Sequence, residues 1–302
     1  MDASGIVVPM ATPTRDERYA VDTESLEEFT RHLVEAGVDG LFPGSSIGEF
    51  PSLTTEQNRQ VVATVAETAG EDATVLAGCC DTSVETVIGN IAAAADAGAD
   101  AAVVVSPYYL GTTQSGLKRF FREIADSSPL PLLLYNIPPL TGNKLGVDLV
   151  SSLSAHEKIV GLKDTSGNLT YHHRVITQTP PEFFVFQGAT ELATASLDCG
   201  TDGLIAGPAN VFPAEMVRLY EAYDRGDLET ARRLMQTVVI PFVNATSDIP
   251  TATATKHLVG LEHLDIGGPL PPLPELTRDD RQRLSECYNE IVTNADGYAR
   301  QQ

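Results

Sequence analysis

At 302 residues the chain is long enough for one large α/β barrel or for two ordinary domains. Its formal net charge is -21, from 41 Asp and Glu against 20 Lys and Arg, so its surface repels nucleic acid and anionic membranes and argues against binding phosphate backbones by counterion release. No apolar stretch approaches the ~20 residues of a membrane span, and the N-terminus lacks a basic region followed by an apolar core, which predicts a soluble, cytoplasmic protein.

The acidic excess reads first as a solubility device. Only five of the 20 cations are lysine, and that scarcity adds a second expectation, adaptation to high salt, where screening removes the self-repulsion of so many carboxylates. The four cysteines, Cys79, Cys80, Cys199 and Cys287, lack CxxC spacing and read as reduced filler rather than a disulfide framework or a zinc site.

Strand-like apolar runs alternate with helical patterns from the start. Ile6–Met10 precedes a helix over Thr23–Ala36, Gly40–Pro43 precedes Thr54–Ala69, and Thr74–Ala77 precedes Ser83–Ala97. Ala101–Ser106 leads to Gln114–Ser127, Leu130–Tyr135 to Gly146–Leu153, and Ile159–Lys163 to Leu169–Gln178. Phe183–Gln187 with Leu192–Cys199, then Gly203–Ala206 with Ala214–Arg225, complete eight β/α units, the spacing of a (β/α)8 TIM barrel. A doubly wound open sheet is the rival, but no glycine-rich dinucleotide loop follows the first strand.

Three phrases of the type Ala-Gly-x-Asp, at Ala36–Asp39, Ala97–Asp100 and, with cysteine for alanine, Cys199–Asp202, each end a helix and open a strand. Glycine supplies the left-handed cap at which the helix stops. Thr54 with Gln57 reads as a capping box. Beyond Gly226 the pattern is helical only, over Leu228–Val243, Ala252–Val259 and Arg278–Thr293, with the Pro-rich Gly267–Pro274 before the last. The expected organisation is a barrel over residues 1–225 and a C-terminal three-helix extension, 226–302, packed on it.

In such a barrel catalytic groups sit at the carboxyl ends of strands. Those positions hold Thr12, Ser45–Glu49, Tyr108 and Tyr109, Tyr135, Lys163, Gly188–Glu191 and Gly207. Lys163 is a cation closing the apolar run Ile159–Leu162; burial disfavours its charged form, and a neutral amine attacks ketones to form Schiff bases. Tyr135 ends the preceding strand and offers a phenol as proton shuttle. Each has an ordinary alternative: Lys163 as a solvated surface residue, Tyr135 and Tyr108–Tyr109 as packing, Ser45 and Ser46 as turn caps, Glu191 as a first-turn acid. None of the six histidines stands at a strand end, His172-His173 reads as a helix face, and no metal centre is expected.

Five phrases together, Ala11–Thr14 (ATPT), Gly44–Thr54 (GSSIGEFPSLT), Ser106–Tyr109 (SPYY), Tyr135–Gly142 (YNIPPLTG) and Gly161–Leu169 (GLKDTSGNL), resemble the pyruvate-dependent class I aldolases. That family includes dihydrodipicolinate synthase, N-acetylneuraminate lyase and the archaeal 2-keto-3-deoxygluconate aldolases. The resemblance implies Lys163 as the Schiff-base lysine, Tyr135 as the proton shuttle, Ser46 in the proton relay and Tyr109 lent by a neighbouring subunit. It also implies a pyruvate carboxylate held at the Ser46-Ile47 backbone, no cofactor or metal, a small keto acid and an aldehyde as partners, and a homotetramer built as a dimer of dimers.

Departures from the family pattern narrow the expectation. Ile47 stands where a hydroxyl is usual, so the carboxylate relies on backbone N–H groups. Leu140 stands where lysine-pathway synthases carry an arginine that grips aspartate semialdehyde. Thr165, Thr190 and Glu191 match tail-contacting positions of sugar-acid lyases, with Gly188 beside them. Gly207 replaces a serine of sialic-acid lyase, and keto-deoxyglucarate dehydratases lack the YNIP phrase. The resulting expectation is an aldolase for 2-keto-3-deoxygluconate or its 6-phosphate, releasing pyruvate and glyceraldehyde or its 3-phosphate. The alternatives are 4-hydroxy-tetrahydrodipicolinate synthase and a non-catalytic keto-acid-binding barrel.

Overall fold

The computed structural model describes residues 4–15 and 19–299. The expected division at 225/226 therefore takes in some residues, 1–3, 16–18 and 300–302, that lie outside the described ones. Eight parallel strands, β1 (Gly5–Val8), β2 (Gly40–Leu41), β3 (Thr74–Gly78), β4 (Ala101–Val105), β5 (Leu132–Asn136), β6 (Ile159–Asp164), β7 (Phe184–Gln187) and β8 (Gly203–Ile205), close into a barrel in which β8 pairs with β1. Helices follow the strands, as in a TIM barrel.

Strand alternation divides the apolar residues into two cores. Val7, Phe42, Leu76, Val103, Leu133, Phe186 and Ile205 fill the lumen. Their sequence neighbours, among them Ile6, Leu41, Val75, Val104, Leu134 and Leu204, pack outward against the helices. Strands buried on both faces explain the unbroken apolar runs in the sequence.

The Ala-Gly-x-Asp phrases have a fuller role than helix stops. Gly37, Gly98 and Gly200 adopt φ of 83°, 88° and 93° as expected. The aspartate two residues on then reaches sideways: Asp39 accepts from Ile6 N at 2.7 Å, Asp100 from Val75 N at 2.8 Å, and Asp202 from Val185 N at 2.6 Å. Each carboxylate satisfies an N–H near the start of the neighbouring strand, so one short phrase ends a helix and ties two strands.

Thr54 and Gln57 form the expected capping box. The region expected as a single helix over Leu228–Val243 is instead three joined segments. Leu228–Leu234 and Ile240–Thr246 are α-helical, and Met235–Val239 between them is a π-helical turn beside Pro241, whose missing N–H disturbs the i→i−4 ladder. Helices Thr251–Glu262 and Arg278–Ala299 complete the extension. A two-stranded pairing of Thr14–Arg15 with Ala20–Val21 is present although the sequence did not suggest it. No described helix is long and apolar enough to cross a membrane.

Candidate active site

β5 and β6 run side by side with Tyr135 opposite Lys163 and Asn136 opposite Asp164. Alternation turns the first pair into the lumen and the second pair outward. At the carboxyl rim Lys163 and Tyr135 line a cavity of about 600 Å³. Lys163 Nζ stands 4.2 Å from the Tyr135 ring centroid and 4.9 Å from that of Phe42.

Lys163 is 4% exposed, and burial draws its pKa down from 10.5 to about 7. The two aromatic faces favour the ammonium, but by roughly 0.5–2 kcal/mol each. Burial without a carboxylate partner moves an amine by several pKa units at about 1.4 kcal/mol per unit, so burial wins. Near neutral pH the amine is therefore partly uncharged and nucleophilic. Gly188 keeps room beside it: a Cβ there would lie 2.1 Å from Thr165 Oγ1 and 3.0 Å from Lys163 Cε.

Burial pushes the Tyr135 phenol up to about 12, while the hydroxyls of Ser46 and Thr165 pull the other way. Of the two hydroxyls Ser46 exerts the larger pull. A phenol of that strength stays protonated at rest. It can give its proton to a leaving group and becomes a strong base once it has done so.

The loop after β2 is fixed from beneath. Thr12 Oγ1 donates to Gly48 O at 2.9 Å, and Ser45 Oγ accepts from Gly48 N at 3.0 Å. Gly48 is a close-approach position, since a Cβ would sit 2.8 Å from Met10 O. No carbonyl or side chain among the described residues takes the N–H groups of Ser46 and Ile47. Thr12, a strand-end candidate, is thus a brace and does not line the cavity.

Nine of the ten candidate residues meet in this cavity: Lys163, Tyr135, Ser46, Ile47, Thr165, Gly188, Thr190, Glu191 and Gly207. Tyr109 does not. It is 95% exposed with φ of 72° and lies with Tyr108 and Leu110 at a separate depression. Among the described residues, Lys163 and Glu191 are the only charged ones in the cavity wall.

Two features escaped the sequence. The C-terminal extension supplies an outer wall through Phe242, Val243, Thr246, Ile249 and Thr251. Behind the strands lies a buried polar cluster in which Asp164 accepts from Asn136 Nδ2 at 3.0 Å and faces His172 Nδ1 at 3.3 Å. His172 Nε2 is 2.6 Å from Thr201 Oγ1, and the imidazole is wholly buried, which refines the helix-face reading: the side chain is on the inward face. Nothing in the sequence separates it from the adjacent His173, which is exposed. The cluster joins the backbone of β5 and β6 directly behind Tyr135 and Lys163.

Residues 2–291 match the Dihydrodipicolinate synthetase family. The chain belongs to that family. It is 36% identical over 286 residues to a 4-hydroxy-tetrahydrodipicolinate synthase of Methanoculleus marisnigri, covering 93% of this chain and 97% of the relative. An uncharacterised DapA-like lyase of Halobacterium salinarum is 34% identical over 280 residues, with 93% and 91% covered. Among solved structures, the family member YagE of Escherichia coli K12, in complex with pyruvate, superposes with a TM-score of 0.90 at 30% identity, over 96% of this chain and 98% of that one. Dihydrodipicolinate synthase DapA-2 of Bacillus anthracis gives 0.92 at 28%, with 96% and 98% covered. Membership makes the chain a pyruvate-dependent class I aldolase, of the kind that holds pyruvate as a Schiff base on a lysine and calls on no cofactor.

Proposed function

We propose that Lys163 captures the C2 carbonyl of a 2-keto acid and that the enzyme reversibly cleaves 2-keto-3-deoxygluconate to pyruvate and glyceraldehyde. The observation that carries the reading is the buried amine of Lys163, 4.2 Å from the centroid of the Tyr135 ring, in a cavity whose wall holds no other cation among the described residues. Tyr135 gives its proton to the hydroxyl that leaves as the imine forms. The resulting phenolate takes the C4 hydroxyl proton, the C3–C4 bond breaks, and the protonated imine accepts the electron pair as an enamine. Protonation at C3 and hydrolysis then release pyruvate.

Ser46 holds the phenol's proton in line, and the free N–H groups of Ser46 and Ile47 suit the pyruvate carboxylate. Thr165, Thr190 and Glu191 suit the hydroxylated tail, with Gly188 and Gly207 leaving space for it. Tyr109, exposed and away from this cavity, suits a neighbouring subunit of a homotetramer.

The names of the relatives favour a second reading, 4-hydroxy-tetrahydrodipicolinate synthase, over the sugar acid. Against it stands the cavity wall: aspartate semialdehyde brings a carboxylate, and Leu140 with Glu191 offers it no cation. The same absence disfavours a 6-phosphate substrate. Pyruvate release from 2-keto-3-deoxygluconate and its phosphate, run beside condensation with aspartate semialdehyde, tests the choice. Faster turnover with the semialdehyde overturns the sugar-acid reading.

We read residues 1–225 as the barrel and 226–302 as an extension that completes its cavity rather than a separate unit. The acidic surface supports a cytoplasm rich in salt as the working environment; a melting temperature that gains nothing between low and molar KCl counts against that.

A further inference from the structure

Lys256, in the helix Thr251–Glu262, does not line the cavity and is buried, with its side chain 1% exposed. Its Nζ lies 2.7 Å from Glu49 Oε1 and donates to Gly268 O at 2.9 Å and Thr14 Oγ1 at 3.1 Å. With three N–H groups the ammonium can serve Glu49 as well as Gly268 and Thr14, and the carboxylate favours its charged form. Glu49 Oε2 in turn accepts from Leu270 N at 2.6 Å. One ion pair thus joins the loop after β1, the loop after β2, the Thr251–Glu262 helix and the segment Gly268–Leu270.

The packing around it is committed to that arrangement. Gly267 has φ of 81°, and a Cβ there would lie 2.2 Å from Thr14 O. Glu49 itself is in the left-handed region at φ of 59°, a conformation a non-glycine residue keeps only when its surroundings insist on it. Glu49 N donates to Ser46 O at 3.2 Å, closing the turn that carries Ser46 and Ile47. At the other end of the pair, Pro250, Thr251 and Ala252 of the same helix start line the cavity.

A buried ion pair stabilises a fold little more than apolar residues of the same volume, because desolvation offsets the attraction. Stability alone gives no reason to keep this one. We infer that the Glu49–Lys256 pair is a positioning clasp, which fixes the Ser46-Ile47 turn against the C-terminal extension and so sets the site for the carboxylate of the keto acid. Neither residue touches substrate; both act through the turn. The inference rests on the Schiff-base reading of Lys163.

The test uses the full-length enzyme and the pyruvate concentration that gives half-maximal covalent trapping under borohydride, a readout independent of the aldehyde. The double variant Glu49→Gln/Lys256→Met removes both charges, so it leaves neither ion unpaired in the interior. It should fold, trap pyruvate on Lys163 at saturation, and need roughly tenfold more pyruvate to do so, the shift expected when a binding contact is loosened while the nucleophile is kept. Glu49→Asp, which keeps the charge on a shorter arm, should shift in the same direction by less. A folded double variant with wild-type half-saturation overturns the clasp and leaves the Schiff base standing. Failure of the wild-type enzyme to trap pyruvate at all overturns the Schiff-base reading, and the clasp with it.

Discussion

Lys163 and Lys256 are the chain's two buried lysines, 4% and 2% exposed, and burial lowers the pKa of both. Their surroundings differ in one respect. Lys256 has a carboxylate at 2.7 Å and two aligned oxygens, all of which favour its ammonium form. Lys163 has two aromatic rings and no carboxylate, so nothing of comparable strength resists the loss of its proton. The same side chain is proposed as a fastener in one place and a nucleophile in the other, and the presence of a counter-charge is what separates the two settings.

The comparison breaks most sharply at Lys163. Lys163→Ala should remove covalent trapping of pyruvate altogether and lower turnover by roughly 10⁴-fold or more, since no other described amine lines the cavity. Mass spectrometry after borohydride reduction reads this directly. An adduct in the variant would assign the Schiff base to another residue.

Tyr135→Phe should separate binding from proton transfer. Lys163 remains, so the imine still forms at saturation, more slowly without the phenol's proton, while turnover falls by about 10²–10⁴-fold for want of the acid–base group. Single-turnover trapping compared with steady-state pyruvate release distinguishes the two. Equal losses in both would mean that the phenol serves imine formation alone.

The burial of Lys163 at the cavity was legible because a lysine after four apolar residues conflicts with its surroundings, and such conflicts are local in sequence. The eight β/α units were legible for a similar reason: helix stops, caps and apolar runs are short-range signals, and the Ala-Gly-x-Asp phrase repeats them. Long-range partnerships were not. Glu49 and Lys256 are 207 residues apart, and neither residue type nor spacing announces that one buries the other. His172 sits beside an exposed His173 and shows no sign, before folding, of lying between Asp164 and Thr201. The outer wall from Phe242 to Thr251 depends on how the extension folds back, and the π-helical turn at Met235–Val239 alters a helix that periodicity renders as uniform. Tyr109 lies outside the cavity of its own chain, and the sequence placed it at a site only through the expectation of a neighbouring subunit.

The smallest effect concerns stability, and it has opposite signs at the two lysines. In the folded protein the pKa of Lys163 is about 7, against an ordinary value of 10.5 in the unfolded chain. Between those values the unfolded chain holds a proton that the folded one has lost, so stability rises with pH across that window. Below about pH 7 both states are protonated and the full penalty of burying the ammonium applies, at most about 5 kcal/mol from 3.5 units at roughly 1.4 each, and less as the cavity admits water. Lys163→Met removes that penalty. Its urea midpoint should exceed the wild-type value at about pH 6 and converge on it toward about pH 10. Lys256→Met strands the Glu49 carboxylate in the interior and should lower the unfolding free energy by about 3–5 kcal/mol at neutral pH, read from the same urea curves. A Lys163→Met variant no more stable than wild type at low pH would mean that the amine keeps its charge without strain, and the reactive half of the comparison would fall.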